Sequence, residues 1–494
     1  YYIVSETLEG KGGSLKEYVI ATNVLNRNAD FDPQLDAIVR IHARRLRNLL
    51  DEYYKGEGLN DPIKISIPKG RYVPVFKRNE AIKSQQADVS REIGHSIISE
   101  PVIAVIPDMN SVKNERAEVI CEVFCRDLSV ELSRFNEIVV VSNYSIGVAM
   151  DSLKNLDTLT NKLGIDYIII VSCHSDEENI KVTVEVNSVL KKQLIWAESF
   201  NFDHTKGNRI KNYASAIKKI LGMIGGFFGL VYRDSLAQRI PEDFDHMYAV
   251  YWHNHYHKHF SYEAFQQSLK AVNIGLDKNP ENSLLTSFKA QLYLDLNAMG
   301  IQGEIDYLAE GQRLTFQALD LDKNNQHAWM MLAWTNLLEK NKKEFIRSSE
   351  KCISINPNNV MYTGSIGFGY ECAGEYEKGL EIMSESIKLN PYYFWNMNLG
   401  FCFYYLSHKE FEEAFIWAEK INRDGLVWDP LLMATCLVHL GRTREASRAI
   451  EELLKITPDF PERARKIVGV FLLDPDLQET ILQGLIKAGI SIKN

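Results

Sequence analysis

The sequence predicts a multidomain chain with a small α+β head, an α/β sandwich and an all-α solenoid. Three observations predict it. A strongly amphipathic helix over 36–54 runs into a Pro/Gly-punctuated hairpin pattern. Apolar strand runs alternate with helical runs between 102 and 202. Beyond about Asp245 the chain becomes almost purely helical, with recurring Asn-Pro stops.

The totals agree with this division. A chain of 494 residues is too long for one hydrophobic core. Net charge is −9, which excludes a polycation that coats nucleic acid along its whole surface. Residues 1–80 nevertheless hold 13 Lys+Arg against 11 Asp+Glu, so a weakly basic head precedes an acidic body. The seven cysteines are odd in number and none forms a C-x-x-C pair. A disulfide framework or zinc ribbon is therefore not expected, and a reducing, cytoplasmic setting is. Cys121 and Cys125 share a helix face and are expected in the core. No signal peptide is read, and a chain opening on Tyr1 leaves room for a preceding segment. The apolar run Leu221–Tyr232 is shorter than the ~20 residues a bilayer requires, so no membrane contact is expected.

The head comes first, over 1–78. Leu15 to Leu25 has a helical apolar pattern with Ser14 as its expected N-cap, and Asp30-Phe-Asp-Pro33 reads as a turn. Asp36 to Tyr54 is the strong helix. At 100° per residue, Ile38, Val39, Leu46, Leu49, Leu50 and Tyr53 gather on one side, with His42 among them as a core histidine. Arg40, Arg44 and Arg47 gather on the other; Arg45 lies at the edge of the core face, where it could form an internal bond. Ile63–Ile67 alternates as a strand, Pro68-Lys-Gly-Arg71 turns, and Tyr72–Phe76 returns. Helix, helix, hairpin is the order of a winged helix, whose second helix enters the DNA major groove. Arginines on that helix would neutralise phosphate and could fork onto guanine. Lys69 and Arg71 at the wing tip could reach backbone phosphate. The DNA-binding candidates are thus Arg40, Arg44, Arg47, Lys69 and Arg71. A solvated, salt-bridged arginine face is the other reading. On the regulator reading the three helical guanidinium groups are expected to be free to meet a nucleic-acid backbone; their burial against the acidic body would leave a repeat scaffold.

Phe31-Asp32-Pro33, Ile38-Val39-Arg40, Arg44-Arg45-Leu46-Arg47, Tyr53-Tyr54 and the stretch Ile67 to Phe76 resemble a winged-helix-like module. This module stands at the front of bacterial TolB-like and tetratricopeptide regulators and is similar in layout to the OmpR/PhoB-type DNA-binding domain. The resemblance implies a double-stranded DNA partner for the head.

Residues 79–99 are polar, mixed in charge and without a period, and read as a linker. In the middle zone, 100–240, Val102–Ile106, Ile138–Val141 and Tyr167–Val171 read as buried strands. Ile180–Val189 and Leu194–Phe202 alternate as a hairpin, and Asn114–Phe135 and Lys206–Arg239 read as helix, the latter with a Gly-rich break. Val102 to Pro107, Leu163 to Tyr167 and Trp196 to Phe200 resemble the TolB N-terminal-like domain, with Ser172-Cys173 where that family has Gly. No G-x-G-x-x-G follows the first strand, so no nucleotide cofactor is expected.

In the last zone, 245–494, Pro357 and Pro391 are 34 residues apart, and Pro391 and Pro458 are 67. Trp252 precedes Pro280 by 28 residues, as Trp329 precedes Pro357. Ala333, Gly367, Gly379, Ala434 and Ala446 supply small residues where paired helices approach. This pattern resembles tetratricopeptide repeats over about 249–460. The second unit, ending near Asn324-Asn325, is longer by about eleven residues and requires an inserted loop. The unit with Ala414 and Ala418 ends at Asp424-Gly425 without the proline. Residues 461–494 are expected to supply capping helices. The solenoid's concave groove is expected to hold a protein or peptide partner, with Asn336 and Tyr370 guessed among its lining.

His253, His255, His257 and His259 form two i,i+4 pairs on different sides of a helix, so all four cannot grip one metal ion. A two-histidine site would need a third ligand such as Glu263. A polar, partly buried repeat helix is the expected reading, with no metal. No H-E-x-x-H, G-x-S-x-G, Walker or kinase signature occurs, so no enzyme is expected. A DNA-binding regulator, dimeric so as to engage two half-sites, is the first functional expectation. A tetratricopeptide scaffold of a signalling complex that does not bind DNA is the alternative.

Overall fold

The computed structural model describes residues 2–492 apart from 9–10, 26, 29–30, 33–35, 55–57, 59–60, 62, 69–70, 79–99, 109–114, 153–155, 176–178, 204–208, 239–245 and 302. The expected linker and Lys69 lie outside the described residues. Two compact units are present, 1–97 and 98–494.

The first unit holds α1 (Tyr2–Leu8), a short 3-10 turn (Gly12–Ser14), α2 (Glu17–Val24), α3 (Ile38–Tyr53) and the antiparallel strands β1 (Ile63–Ser66) and β2 (Val75–Arg78). Its small core is Leu15, Ile20, Ala21 and Val39, with Phe31, Tyr72 and Val73 packed around it. The Asp36 carboxylate accepts from the Ile38 N–H at 2.9 Å and so starts α3. Ser14 is not the cap of α2; its hydroxyl donates to the Lys11 carbonyl at 2.7 Å within the 3-10 turn, and Lys16 stands at the cap position.

The second unit begins with a five-stranded sheet. Its strands are β3 (Val102–Pro107), β4 (Val139–Val140), β5 (Tyr167–Ser175), β6 (Asn179–Ser188) and β7 (Gln193–Asp203), in the order β4-β3-β5-β6-β7. The first three are parallel; β6 and β7 then return antiparallel. Alternate residues of β3 serve two cores, as the period of a strand requires. Ile103 and Val105 pack with α4 (Glu115–Leu132) and α7 (Arg209–Ile224). Ala104 and Ile106 face the side of α5 (Asn143–Ser152) and α6 (Leu156–Leu163). Cys121, Cys125 and Cys173 meet in the first of these cores, and all seven cysteines are buried free thiols. The expected Gly-rich break separates α7 from α8 (Leu230–Gln238).

The remaining helices come in pairs. They are α9 (His246–His259) with α10 (Tyr262–Lys278), α11 (Ser283–Ala298) with α12 (Tyr307–Leu321), and α13 (Gln326–Leu338) with α14 (Lys342–Ile355). Then follow α15 (Val360–Cys372) with α16 (Tyr376–Leu389), α17 (Asn396–Ser407) with α18 (Phe411–Glu419), and α19 (Trp428–His439) with α20 (Thr443–Ile456). The last pair is α21 (Phe460–Val468) and α22 (Pro475–Lys487). The expected insertion in the second unit is the long link from Met299 to Asp306. In each of the first six pairs, the link contains one residue in the left-handed region: Phe260, Gly300, Lys340, Gly374, Lys409 and Gly441. Such a residue lets the chain close the end of the first helix, as in the 2.9 Å bond from the Glu410 N–H to the Tyr405 carbonyl. Small residues do allow close approach: a Cβ on Gly367 would stand 2.8 Å from Met383 Cγ.

Sheet and solenoid pack as one body. Glu137, 5% exposed, accepts from Asn359 Nδ2 at 3.1 Å, and Asn356 Nδ2 donates to the Arg134 carbonyl at 3.3 Å. The Arg233 guanidinium stacks over Tyr392 at 3.8 Å. Burial pushes the Glu137 carboxyl up.

The helix pairs make two expectations about stability testable. Lys409 is exposed and held at φ 61°, which an L side chain adopts at a cost of roughly 1 kcal/mol. Lys409→Gly is expected to raise the melting temperature, read by calorimetry; a lower value refutes the account. Glu371 on α15 is fully buried with neither carboxyl oxygen hydrogen-bonded, and burial, with the Glu377 charge, pushes its carboxyl up to about 9. The folded chain therefore holds a proton there that the unfolded chain releases near 4.5. That contribution is intact at lower pH and is lost as pH climbs through about 9. Glu371→Met is expected to flatten the decline of melting temperature between those limits; parallel wild-type and variant curves would contradict this.

Candidate functional site

Among the described residues, two candidate contact surfaces stand out: the outer side of α3 with the β1–β2 hairpin, and the inner wall of the solenoid.

On α3 the observed inner arc is Val39, Ala43 and Tyr54, with Ile38, Arg47 and Leu50 half-buried. The arc is rotated from the expected one. Leu46, Leu49 and Tyr53 are exposed, and so is His42, which is not a core histidine. Arg47 occupies the inner side because it binds the turn between β1 and β2. Its Nε donates to the Ile67 carbonyl at 2.9 Å, and its Nη2 donates to the carbonyls of Pro68 and Arg71 at 3.1 and 3.0 Å. The turn presents three carbonyls that lie outside the strand ladder, and one planar fork reaches them all. The Tyr54 hydroxyl adds a second tie, donating to the Ile63 carbonyl and accepting from the Ile65 N–H.

The three arginines therefore do not form the expected free ridge. Arg47 is a clamp. Arg40 is half-exposed, with its Nε 3.7 Å from Glu17 Oε2. Arg44 and Arg45 are exposed, as is Arg71, whose backbone carbonyl takes the Arg47 bond. Helical spacing sets Arg40 and Arg44 beside Arg47, on the flank nearest the wing. Ile41, 62% exposed, and Leu49, 52% exposed, lie beyond them with Arg45 on the outward side.

In the solenoid, the first helices of successive pairs pack on one another and make the inner wall. The wall is not an open groove. The C-terminal helix α22 packs against α17 and α19, both inner helices. Ahead of it, Phe471 stacks among Phe368, Phe403 and Trp428, 4.9 Å from the last. The Lys340 ammonium donates to the carbonyls of Gly469 and Val470, and the Leu473 N–H to that of Cys372 at 2.8 Å. Arg463 donates to the Gly300 carbonyl at 2.7 Å, and Arg423 donates to the Lys258 carbonyl at 2.7 Å. The last residues thus do more than cap the array: they occupy part of its concave side. Asn336 and Tyr370 are not lining residues. The Asn336 amide bonds Ser348 within its own pair, and Tyr370 is buried against Phe345.

What stays open on the concave side is a cavity of about 680 Å³. Its walls include Phe260, Trp334, Phe368, Phe394, Trp395 and Trp428, with Asp295 and Asn396 among the few polar groups.

The histidines divide as their spacing requires. His253 and His257 are buried, with their Nε2 atoms 3.1 Å apart. His327 joins them through Gln291, at 2.8 Å. The His253 ring stacks on Phe288 at 3.8 Å. Burial lowers all three, His257 to about 4 and His327 to about 3, so the cluster is uncharged near neutral pH. His255 and His259 pack against each other at 4.1 Å elsewhere on α9, and Glu263 is exposed on α10. Among the described residues no three His, Cys, Asp or Glu side chains are placed to hold a metal ion.

Comparison with known proteins bears on the solenoid most directly. Residues 326–359 match the tetratricopeptide repeat model, and they span the pair α13–α14. The chain is similar to the transcriptional regulator HilA of Salmonella paratyphi A and of Salmonella typhimurium, 22% identical over 244 residues. That match covers 49% of this chain and 42% of HilA, so the chain spans less than half the length of these relatives. Among solved structures, a monomeric mutant of IFIT1 with Gppp-AAAA is 14% identical with a TM-score of 0.39, covering 58% of this chain and 66% of that one. A tetratricopeptide repeat protein from Parabacteroides merdae is 12% identical with a TM-score of 0.31, covering 57% and 94%. Scores this low support no functional argument. No described helix is long and apolar enough to cross a membrane.

The clamp makes a sharp prediction about the arginines. Arg47→Ala takes the guanidinium away from three turn carbonyls and is expected to destabilise the head by roughly 2–3 kcal/mol. Arg44→Ala is expected to change stability by less than about 0.5 kcal/mol. Hydrogen exchange of residues 63–78 distinguishes the two: the wing should open in the first variant only, and equal protection in both would refute the clamp.

Proposed function

We propose that the chain is a DNA-binding transcriptional regulator in which the solenoid receives a signal or partner and the head reads DNA. The observation that carries this reading is the pairing of α3 with a hairpin held by Arg47, which sets Arg40, Arg44 and Arg71 along one edge. A helix backed by a wing is the geometry with which winged helices enter a major groove. Arg44 and Arg71 offer exposed guanidinium groups for phosphate or base edges; Arg40 would exchange Glu17 for phosphate. Arg47 supports them by fixing the wing, and Lys69, close to Arg71 in sequence, is proposed as a further phosphate contact. The likeness to HilA, a transcriptional regulator, supports the reading. The sheet of the second unit is proposed as a TolB N-terminal-like platform for the solenoid. A homodimer in the cytoplasm, reading two half-sites, completes the proposal, and it assigns no catalytic step.

A second reading is a tetratricopeptide scaffold that binds protein only. The exposed Ile41, Leu46, Leu49 and Tyr53 on α3 favour it, because apolar side chains at such a surface suit a protein partner.

Binding to labelled duplex DNA, followed by anisotropy across a salt series, separates the readings. Under the regulator reading, log affinity falls linearly with log salt, and Arg44→Ala reduces the slope by about 0.9. No binding, or a flat salt response, would leave the scaffold.

A further inference from the structure

The cavity inside the solenoid has the dimensions of a small-molecule site. Its volume, about 680 Å³, falls within the range of roughly 300–1,000 Å³ typical of ligand pockets and is too small for a partner helix. The groove that a peptide would use is filled on one side by Phe471 and α22. The turn between α9 and α10 and the inserted link at Gly300 and Ile301 border the cavity elsewhere.

The walls are aromatic. Trp334, Trp395, Trp428, Phe260, Phe368 and Phe394 come from five different helix pairs. Such walls stack well on flat rings and attract cations to their faces.

The polar groups on the walls are unevenly satisfied. Trp395 Nε1 and Asn396 Oδ1 are buried, each residue only 8% exposed, and neither atom has a hydrogen-bond partner. Both residues border the cavity, but these two atoms themselves present no open surface to it. Asp295, on α11, receives the Tyr256 hydroxyl at 3.1 Å, and among the described residues no Lys or Arg pairs with it. The remaining charged groups on the walls are Asp459 and Arg463, which already bond each other at 3.1 Å, while His257 is held neutral by burial. The cavity thus carries one acidic group without a basic partner. Burial pushes the Asp295 carboxyl up to about 7, the behaviour of an acid that lacks its cation.

We propose that this cavity binds a small organic amine with a flat aromatic body, its ammonium on Asp295 and its ring against the tryptophan and phenylalanine walls. The inference deepens the regulator reading, since such an amine would be the effector of the solenoid. It does not depend on DNA binding, and its test contains no DNA.

The test uses the full chain and two fluorescent probes of one shape, anthracenylmethylamine and anthracene carboxylate. Fluorescence titration should show saturable one-site binding of the amine, about tenfold or more tighter than the carboxylate. Asp295→Asn should lower amine affinity about tenfold and should not weaken the carboxylate, narrowing the gap between the two probes. Circular dichroism checks that this variant folds. Trp334→Leu provides a second, uncharged probe of the same wall and should weaken both ligands. Equal binding of the two probes, no saturable binding of either, or wild-type affinity in a folded Asp295→Asn variant would overturn the proposal. Saturable amine binding by a chain that shows no salt-dependent binding in the separate duplex titration would count against the regulator reading alone.

Discussion

Each helix pair of the solenoid has one apolar face that it cannot bury alone, and this governs the rest of the second unit. Phe288, Phe345, Phe403 and Phe460 are fully buried only because another helix covers them. An extended array would leave its first and last faces wet, at about 25 cal/mol for every Å² of apolar surface. Both ends are covered here. The first helix, α9, meets α8, where the Tyr232 hydroxyl donates to Met247 Sδ at 3.3 Å. The last residues turn back onto the inner wall, where Phe471 finds three aromatic partners. The cavity is what this arrangement leaves over, since rigid aromatic walls from five pairs cannot close on each other completely.

The sheet joins the same body through polar contacts that are costly to leave unmade. Glu137 is buried against Asn359, at the start of α15, so the link between sheet and solenoid sits at the middle of the array. Lys218 and Glu385, 3.1 Å apart, add an exposed tie that contributes little by itself. The buried pair gives register, and the apolar contact around Gly222, Val360 and Leu389 gives adhesion.

The sequence made much of this legible, for reasons that can be named. The proline spacing marks the ends of second helices because proline cannot continue a helix, so the pairs and the long second unit follow from arithmetic. The strands were legible from apolar runs, and β6 and β7 from their alternation. The face of α3 was not. Periodicity treats arginine as outward-facing, but Arg47 turns inward because the wing turn aims three carbonyls at it, and Leu46 and Leu49 rotate outward in compensation. That exchange depends on a contact across twenty residues, which no window of a helix contains. The same limit hid the cavity. Asp295 and Trp395 are a hundred residues apart, and neither carries a motif. The filling of the groove by Phe471 was likewise invisible, since a capping helix and an inward-turned one have the same amphipathic pattern.

The bond from Arg423 to the Lys258 carbonyl has a mechanical consequence. It fastens the link before the sixth pair to the end of the first helix, so the array is a hoop and not an open spring. A hoop resists stretching but transmits a change of girth to every segment at once. An object wedged at its centre would alter its circumference and would be felt at Asn359, where the sheet is bolted on.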